Sequence, residues 1–208
     1  MASIIMHLAI SQILKQKYNF SNDFLIGTVA PDIMKRLPNA QKDITHYLKE
    51  YNNNNRIQKL PDIENFLKNN INEQSDYFYG YFVHLLQDRI WFEKYVPMFA
   101  EKQDEEYVTY VKDNTIHTEE EFSQEMYKDY MTVGEFILSK IVLDLETIKK
   151  DTKKYFNNEL VNSIVDNEII MYDAIKNRKN CFLTNELIEN YINECIEECD
   201  KYISERKK

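Results

Sequence analysis

Chain breakers are scarce in this sequence, whose 208 residues include only three glycines and four prolines. Turn-rich β-sheet proteins depend on these residues, whereas both destabilise the interior of a helix. Their scarcity over this length therefore favours a helical protein. A chain of this length can bury one substantial core, and 43% of its residues are hydrophobic. We predict an all-α protein, a single helical domain over residues 1–208.

Apolar residues recur at helical spacing in several segments. A short helical turn is predicted from Asn22, stopping before Pro31 because proline restricts the residue that precedes it. From Pro31 to about Leu60 we predict a loop-rich excursion, followed by a helix that begins at Pro61 or Asp62. The longer predicted helices are 3–17, 75–100 with a bend or end at Pro97, 117–148 with an interruption near Gly134 left open, 158–176 and 185–204.

The charge and the cysteines limit the classes of function. The formal net charge is −9, and no basic face of the kind that binds nucleic acid is apparent. The three cysteines, Cys181, Cys195 and Cys199, have no spacing typical of a disulfide framework. Cys195 and Cys199 lie one helical turn apart and could share a metal ion, but no second pair follows them. We interpret all three as structural or incidental thiols in a reducing compartment.

The N-terminal segment is apolar but lacks the features of a signal peptide. It has no basic leading region and no small-residue cleavage site, and it contains His7. No other segment reaches the ~18 consecutive apolar residues of a membrane span. We therefore predict a cytoplasmic protein without a transmembrane segment, and leave its oligomeric state open.

Two polar residues interrupt the apolar helix predicted over "YGYFVHLLQDRIW", Tyr79 to Trp91. His84 and Asp88 are four residues apart, so they share one helix face at a distance of about 6 Å. Burying either group without a partner costs about 1–3 kcal/mol. A shared metal ion would remove this penalty, because imidazole and carboxylate are both zinc ligands. The alternative is an ordinary buried hydrogen-bonded pair.

Further motif residues precede this pair: His7, Asp32 in "APD" and His46 in "TH". The spacings Asp32-x13-His46 and His84-x3-Asp88 resemble those of the zinc-dependent phospholipase C family, which includes the catalytic domain of glycosylphosphatidylinositol-specific phospholipase D. The resemblance covers about the first hundred residues. It implies a compact helical bundle that hydrolyses phosphodiesters, with the metal-site motifs in residues 1–130. The role of the helices in residues 131–208 is left open.

The resemblance also implies the ligands of one or two zinc ions, other divalent metals being left open. Asp32, His46, His84 and Asp88 would surround one zinc ion. Asp88 would also bridge to a second ion that His7 binds. Asp32 would further act as the catalytic base that positions or deprotonates the attacking water. The implied substrate is a phosphodiester, and a phospholipid headgroup is one candidate.

The sequence departs from the family pattern at other ligand positions. Secreted members use an N-terminal tryptophan as a ligand, whereas this chain begins "MASII". Lys94 stands near the position where the family's additional zinc site would have its first histidine. His117 and Glu121 reproduce a His-x3-Glu spacing, although Thr118 and Glu121 also fit a capping box, which we favour. Asp129 is a further candidate ligand or partner of a ligand.

Two other functions are considered. A helical phosphohydrolase of the histidine–aspartate doublet type would need an adjacent His-Asp dipeptide, which the sequence lacks. A non-catalytic helical interaction protein could use the same His/Asp cluster as a structural metal site. A structural site is closed, whereas a catalytic site keeps one coordination position open. The sequence does not distinguish these two kinds of site.

Overall fold

The structure is a computed structural model that describes residues 2–53, 56–103, 106–157, 159–170 and 179–207. Helices dominate these residues, which confirms the predicted all-α class, and two small antiparallel sheets accompany them. The helices are α1 (Ile4–Tyr18), α2 (Asn22–Met34), α3 (Lys42–Thr45), α4 (Ile63–Asn69), α5 (Asp76–Ile90), α6 (Glu119–Lys140), α7 (Leu145–Tyr155), α8 (Glu159–Ile170) and α9 (Asn185–Arg206).

Helices α2 and α5 cross in close contact at two glycines. A Cβ atom added to Gly80 would lie 1.9 Å from the carbonyl oxygen of Phe24, and one added to Gly27 would lie 2.0 Å from that of Tyr77. Only a residue without a side chain allows two backbones to approach so closely. The crossing brings the end of α2 alongside the middle of α5.

Helix α2 continues through Pro31, so the prediction that it stops before this proline was wrong. Val29, Ala30 and Ile33 of this helix are fully buried in the core. Their burial offsets the cost of a proline inside a helix, which is about 3 kcal/mol. In consequence Asp32 lies on a helix rather than in a loop.

The predicted loop-rich excursion contains regular structure, and the prediction was wrong in that respect. It includes α3 and an antiparallel hairpin of strands β1 (Leu48–Asn53) and β2 (Arg56–Pro61), in which Leu48 is opposite Pro61. Asparagine is a poor strand former, so the composition of β1 hid this hairpin from the sequence analysis. Residues 54 and 55 of the asparagine run lie outside the described residues.

The long helix predicted over residues 75–100 is shorter than expected. After α5 the chain forms a π-helical turn over Trp91–Tyr95 and a 3₁₀ turn over Val96–Met98. Pro97 lies in this second turn, where we predicted a bend or an end. A three-stranded antiparallel sheet follows, in the order β3 (Ala100–Lys102), β4 (Tyr107–Tyr110) and β5 (Ile116–Thr118).

The helix predicted over 117–148 is two helices, α6 and α7, so its continuity was predicted wrongly, whereas α8 and α9 lie where helices were predicted. Helix α6 runs uninterrupted through Gly134, and the chain leaves the helix at residues 141–144 instead. The predicted helix over 158–176 is seen as α8, while residues 158 and 171–178 lie outside the described residues. No helix in the described part of the chain is both long and apolar enough to cross a membrane.

Helix α9 closes the core against α1, α5 and α6. Its two cysteines, Cys195 and Cys199, are fully buried and unpaired. Burial raises the pKa of both thiols, so both stay protonated at neutral pH. Metal binding requires thiolates, and this environment therefore favours a packing role for the pair.

Candidate metal centre

Five polar side chains converge in the interior of the helical core. His7 comes from α1, Asp32 from α2, His46 from the residue that ends α3, and His84 and Asp88 from α5. Each is at most 2% exposed. Burying five such polar groups together costs free energy unless each has a partner, which a bound ion or a complete hydrogen-bond network can supply. The five residues are those that the sequence analysis proposed as ligands.

Four atoms of this cluster have the spacing of ligands around one ion. Asp32 Oδ1 lies 3.2 Å from His46 Nε2 and 3.9 Å from His84 Nε2. Asp88 Oδ2 lies 3.9 Å from the same atom of His46 and 3.7 Å from that of His84. Ligand atoms about 2.1 Å from a tetrahedral zinc ion are about 3.4 Å from one another. Both carboxylates therefore lie within about a ligand's spacing of both imidazoles, and among the described residues the groups whose donor atoms all lie within 4.8 Å are His46, His84 and Asp88, and His7, Asp32 and His84.

The second oxygen of Asp88 faces another group of atoms. Asp88 Oδ1 lies 3.4 Å from His7 Nε2 and accepts a 3.0 Å hydrogen bond from the backbone N–H of Ala2. The His7 ring stacks on the His84 ring, with 4.1 Å between their centroids. Donor atoms of His7, Asp32 and His84 lie within 4.8 Å of one another and could hold an ion. Asp88 thus faces His46 and His84 with one oxygen and His7 with the other.

Hydrogen bonds at the outer nitrogens fix the tautomers of two histidines. His84 Nδ1–H donates to the carbonyl oxygen of Thr28 at 2.8 Å, and His7 Nδ1–H donates to Gln87 Oε1 at 2.9 Å. Each ring therefore presents the lone pair of Nε2 to the cluster. Within the described residues, these two buried Nε2 atoms have no hydrogen-bond partner. A metal ion would satisfy both atoms.

His46 also has a partner at Nδ1, the ring nitrogen that faces away from the cluster. His46 Nδ1 lies 2.9 Å from the hydroxyl oxygen of Thr45, and the hydroxyl of Tyr81 on α5 donates to the carbonyl oxygen of Thr45. These contacts tie the end of α3 to α5. They direct His46 Nε2 toward Asp32.

The protonation states suit metal binding. Burial opposes ionisation of Asp32, but the charge of Lys35, together with His84 and His46, holds the pKa of this carboxyl well below its usual range. Burial likewise opposes ionisation of Asp88, and His7 and His84 lower its pKa in the same way. Burial and the neighbouring His7 lower the pKa of His84 to about 3. At neutral pH both carboxylates are ionised and His84 is neutral, as ligands must be.

Comparison with known families agrees with this geometry. A family model described as zinc dependent phospholipase C matches residues 4–205. The chain belongs to the zinc-dependent phospholipase C family. No curated protein and no solved structure matches it. The family's metal is zinc, and the chain has His/Asp clusters that could hold it. The predicted relation to the catalytic domain of glycosylphosphatidylinositol-specific phospholipase D stays a prediction.

The structure does not bring His117 and Glu121 to the zinc-site cluster. The capping box that we favoured is confirmed, since Thr118 Oγ1 accepts the N–H of Glu121 at 3.1 Å and Glu121 Oε2 accepts that of Thr118 at 2.9 Å. His117 lies on β5, outside α6, and stacks on the ring of Tyr110 with 3.8 Å between centroids. Among the described residues, neither side chain belongs to a group that could hold a metal ion.

Asp129, a further candidate ligand from the sequence analysis, binds backbone N–H groups in the structure. It is fully buried on α6 and accepts hydrogen bonds from three consecutive backbone N–H groups. The donors are Cys181 at 2.9 Å, Phe182 at 2.7 Å and Leu183 at 3.0 Å. Both carboxylate oxygens are thereby engaged. Asp129 fixes the chain segment that leads into α9.

Lys94, the residue near the family's additional zinc site, forms an ion pair with Glu194 of α9. Glu194 also accepts a 2.8 Å hydrogen bond from the hydroxyl of Tyr95. A lysine paired in this way closes the position to a cation. In this phospholipase C family member, the contacts of Glu194 tie α9 to the turn that follows α5.

Sequence analysis missed two residues that touch the centre. Lys35 Nζ lies 2.9 Å from Asp32 Oδ1, and Gln87 holds the outer nitrogen of His7. Lys35 is three residues after Asp32, a contact that only a helix continuing past Pro31 can make. Gln87 stands next to Asp88 in the motif, but only the fold shows that it faces α1.

Proposed function

We propose that this protein is a zinc-dependent phosphodiester hydrolase. Its zinc ligands would be Asp32, His46, His84 and Asp88, and His7 with the second oxygen of Asp88 would hold a further ion. The observation that carries this proposal is the convergence of two buried carboxylates on two buried imidazoles, whose donor atoms lie 3.2–3.9 Å apart along the four pairs given above. One of them, His84 Nε2, is buried without a hydrogen-bond partner among the described residues.

The reaction is hydrolysis of a phosphodiester by water. Bound zinc would supply Lewis acidity, neutralising charge on the phosphate oxygens and lowering the pKa of water toward neutrality. The water oxygen forms a bond to phosphorus while the bond from phosphorus to the leaving alkoxide breaks. The leaving oxygen takes up a proton, so the products are an alcohol and a phosphomonoester.

Asp32 contributes to this reaction as a hydrogen-bond acceptor for the attacking water. Its low pKa means that it holds a proton weakly at neutral pH. Asp32 therefore orients the water and accepts its proton only transiently. The proton then passes to the leaving group or to solvent. Burial lowers the pKa of His84 to about 3, so this histidine is neutral at neutral pH and carries no proton to the substrate.

The substrate class follows from the family and from the charge of the chain. We propose a phospholipid headgroup diester or a soluble phosphodiester as the substrate. The net charge of −9 disfavours both nucleic acid and the surface of an anionic bilayer. Cytoplasmic location is part of this proposal.

A second candidate function is a structural metal centre in a non-catalytic protein. The observation that favours it is the depth of the cluster, because none of its five residues is more than 2% exposed. A closed centre of this kind would stabilise the fold without turning over a substrate.

The first experiment measures metal content by elemental analysis of protein purified without a metal-affinity tag. We expect one or two equivalents of zinc in the wild type, lost or reduced in His84→Ala and Asp88→Asn. His117→Ala is the matched control, since this histidine lies outside the cluster, and it should keep the full content. Absence of zinc in the wild type, even after zinc is added back, would overturn the proposal.

The second experiment separates a hydrolase from a structural centre. Zinc-loaded wild type is assayed for release of 4-nitrophenol from bis(4-nitrophenyl) phosphate and of phosphocholine from a short-chain phosphatidylcholine. We expect hydrolysis of at least one of them, abolished by chelation and restored by zinc. Zinc retained at full stoichiometry with no hydrolysis of either diester would favour the structural centre.

A further inference from the structure

Segment 42–46 leads from solvent to the proposed metal centre within one helical turn. The side chain of Lys42 is exposed, whereas His46 at the other end of the segment is fully buried. The His46 N–H donates to the carbonyl oxygen of Lys42 at 2.9 Å, so the two residues are joined across the turn. Residues four apart in a helical turn share one face. Lys42 therefore lies one turn from a candidate zinc ligand, on its solvent side.

The turn that follows α5 reaches solvent beside the same ligands. Phe92 comes four residues after Asp88 and is half-buried, whereas Asp88 is 1% exposed. Asp88 Oδ2 lies 3.9 Å from His46 Nε2. One turn further out, the ammonium nitrogen of Lys42 lies 5.7 Å from the centroid of the Phe92 ring. The Lys42–Phe92 pair thus forms the next layer outside the His46–Asp88 pair.

The α1 and α5 sides of the centre are closed. His7 lies on α1 within residues 2–11, all of which are buried, and His84 lies on α5 within residues 78–88, which are buried as well. A substrate of the buried ligands needs an approach from solvent. Segment 42–46 and the turn after α5 provide a short approach, because each passes from a buried ligand to a more exposed side chain within four residues.

The ammonium group of Lys42 is available to an anion. Within the part of the chain that the structure describes, it contacts the Phe92 ring and has no hydrogen bond or ion pair. A cation is attracted to the face of an aromatic ring, so this contact positions the ammonium group. Its three N–H donors can then bind an oxygen atom that enters between Lys42 and the ligands.

We propose that Lys42 binds an anionic oxygen of the substrate phosphate at the entrance to the metal centre, and that Phe92 positions its ammonium group. This proposal rests on the proposed function, and it names a substrate-contacting residue that is not a metal ligand. The ligand chemistry is a singly charged phosphodiester, whether it belongs to a lipid or to a soluble molecule. Lys42 would select such diesters over neutral esters.

The direct test is binding of an inert diester to the zinc-loaded protein. Diethyl phosphate is titrated by calorimetry into the wild type, Lys42→Met, Lys42→Arg and the control Lys68→Met. The control removes the same charge from an exposed position of α4. We expect about 10- to 100-fold weaker binding in Lys42→Met, partial rescue in Lys42→Arg, and no change in the control. Equal affinity of Lys42→Met and the wild type would overturn the proposal.

The positioning role of Phe92 is tested with the same titration. Phe92→Leu should weaken binding of diethyl phosphate about 2- to 5-fold through loss of the ring contact, and Phe92→Tyr should retain the affinity. Because Phe92 acts through Lys42, Phe92→Leu should cause no further loss when Lys42 is already methionine. An equal loss in both backgrounds would overturn the role of Phe92.

The kinetic test compares an anionic with a neutral substrate. Lys42→Met should lower kcat/KM for bis(4-nitrophenyl) phosphate about 10- to 100-fold, while changing the rate for the neutral diethyl 4-nitrophenyl phosphate far less. Equal losses toward both esters would overturn the proposal. A short-chain phosphatidylcholine is assayed in parallel. A loss with it as well as with the soluble diester extends the role of Lys42 to lipid headgroups, and a loss confined to one diester assigns the contact to that source.

Zinc content and the thermal unfolding midpoint of each variant separate this role from a structural one. We expect Lys42→Met to fold and to keep its zinc, because the exchanged side chain is exposed and the backbone contact to His46 stays. Loss of folding or of zinc in Lys42→Met would overturn the proposal, since Lys42 would then support the centre itself.

The failure of this proposal differs from the failure of the proposed function. If the wild type hydrolyses no ester but binds diethyl phosphate through Lys42, the anion contact stands and the hydrolase proposal falls. If the wild type hydrolyses diesters and Lys42→Met binds diethyl phosphate as tightly as the wild type does, the lysine proposal falls and the hydrolase stands.

Discussion

Gly80 of α5 lies directly against Phe24 of α2, so close that a Cβ added to Gly80 would be 1.9 Å from the carbonyl oxygen of Phe24. The nearest atoms belong to backbone, which cannot rotate away as a side chain does. This contact sets the distance between the helix that carries Asp32 and the helix that carries His84 and Asp88.

We expect Gly80→Ala to force α2 and α5 apart. Overpacking of this kind costs about 1–3 kcal/mol of unfolding free energy. Because α2 carries Asp32 and α5 carries His84 and Asp88, moving the helices apart should also lower the affinity for zinc. Urea unfolding and zinc titration measure the two effects. Glu135→Ala, at an exposed position of α6, is the control, and equal stability of both variants would contradict this account of the crossing.

Gln87 fixes the tautomer of His7, because its Oε1 accepts a hydrogen bond from Nδ1–H and leaves the lone pair of Nε2 facing the cluster. We expect Gln87→Leu to weaken binding of the ion that His7 holds about 10- to 100-fold, the usual effect of losing such a partner. Gln87→Glu keeps the acceptor and should retain binding. Zinc titration with a competing chelator resolves the two sites, and unchanged affinity in Gln87→Leu would exclude this role.

Stability of the metal-free protein should fall as the pH falls from about 6.5 to 3. Burial lowers the pKa of His84 from 6.5 to about 3 in the folded state. Between these values the unfolded chain binds more protons than the folded one, so unfolding becomes easier as protons are added. This residue contributes at most about 1.4 kcal/mol per pH unit.

Asp32 and Asp88 also make the metal-free protein less stable as the pH falls, but they do so at lower pH than His84. Asp32 and Asp88 have pKa values below their usual 3.8, so their contribution is lost as the pH falls further, below about 4. Urea unfolding at a series of pH values measures the slope. His84→Gln should show a shallower dependence between pH 6.5 and 4, and an identical slope in both proteins would contradict the assignment to His84.

Asp129 anchors the segment before α9 through three backbone N–H groups. An asparagine at this position would place its NH₂ group against these backbone N–H groups. At least one buried N–H would then lack an acceptor, at a cost of about 1–3 kcal/mol. We expect Asp129→Asn to lower the unfolding free energy by this amount with zinc content unchanged. The control is Asp144→Asn at the exposed N-cap of α7, where asparagine caps as well as aspartate does.

How far the sequence predicts the metal centre depends on the range of the contacts. His84 and Asp88 could be placed on one face of a helix because their spacing is local, and the family motifs supplied the other three candidates. The tautomers could not be predicted, since they depend on Thr28 and Gln87, whose positions relative to the rings come from the packing of separate helices.

The errors in the fold have a similar physical origin. Pro31 ended the predicted helix because local sterics argue for that, but burial against α5 outweighs them and carries the helix through Asp32 to Met34, with Lys35 as its C-cap residue. The hairpin that starts at Leu48 was missed because its asparagines have little intrinsic preference for a strand. Asp129 was proposed as a candidate ligand or partner of a ligand, while the backbone groups that it binds lie more than fifty residues later, which local sequence does not show.

The contacts of α9 determine when this centre can be completed during synthesis. Tyr191 donates from α9 to the carbonyl oxygen of Gln87 at 3.2 Å, one residue from Asp88. All five candidate ligands leave the ribosome by residue 88, but the helix that covers them arrives about a hundred residues later. At about 5–20 residues per second of translation, the nascent chain would expose its apolar ligand-bearing helices for about 5–20 seconds. Release of residues 185–206 is therefore the event that seals the interior.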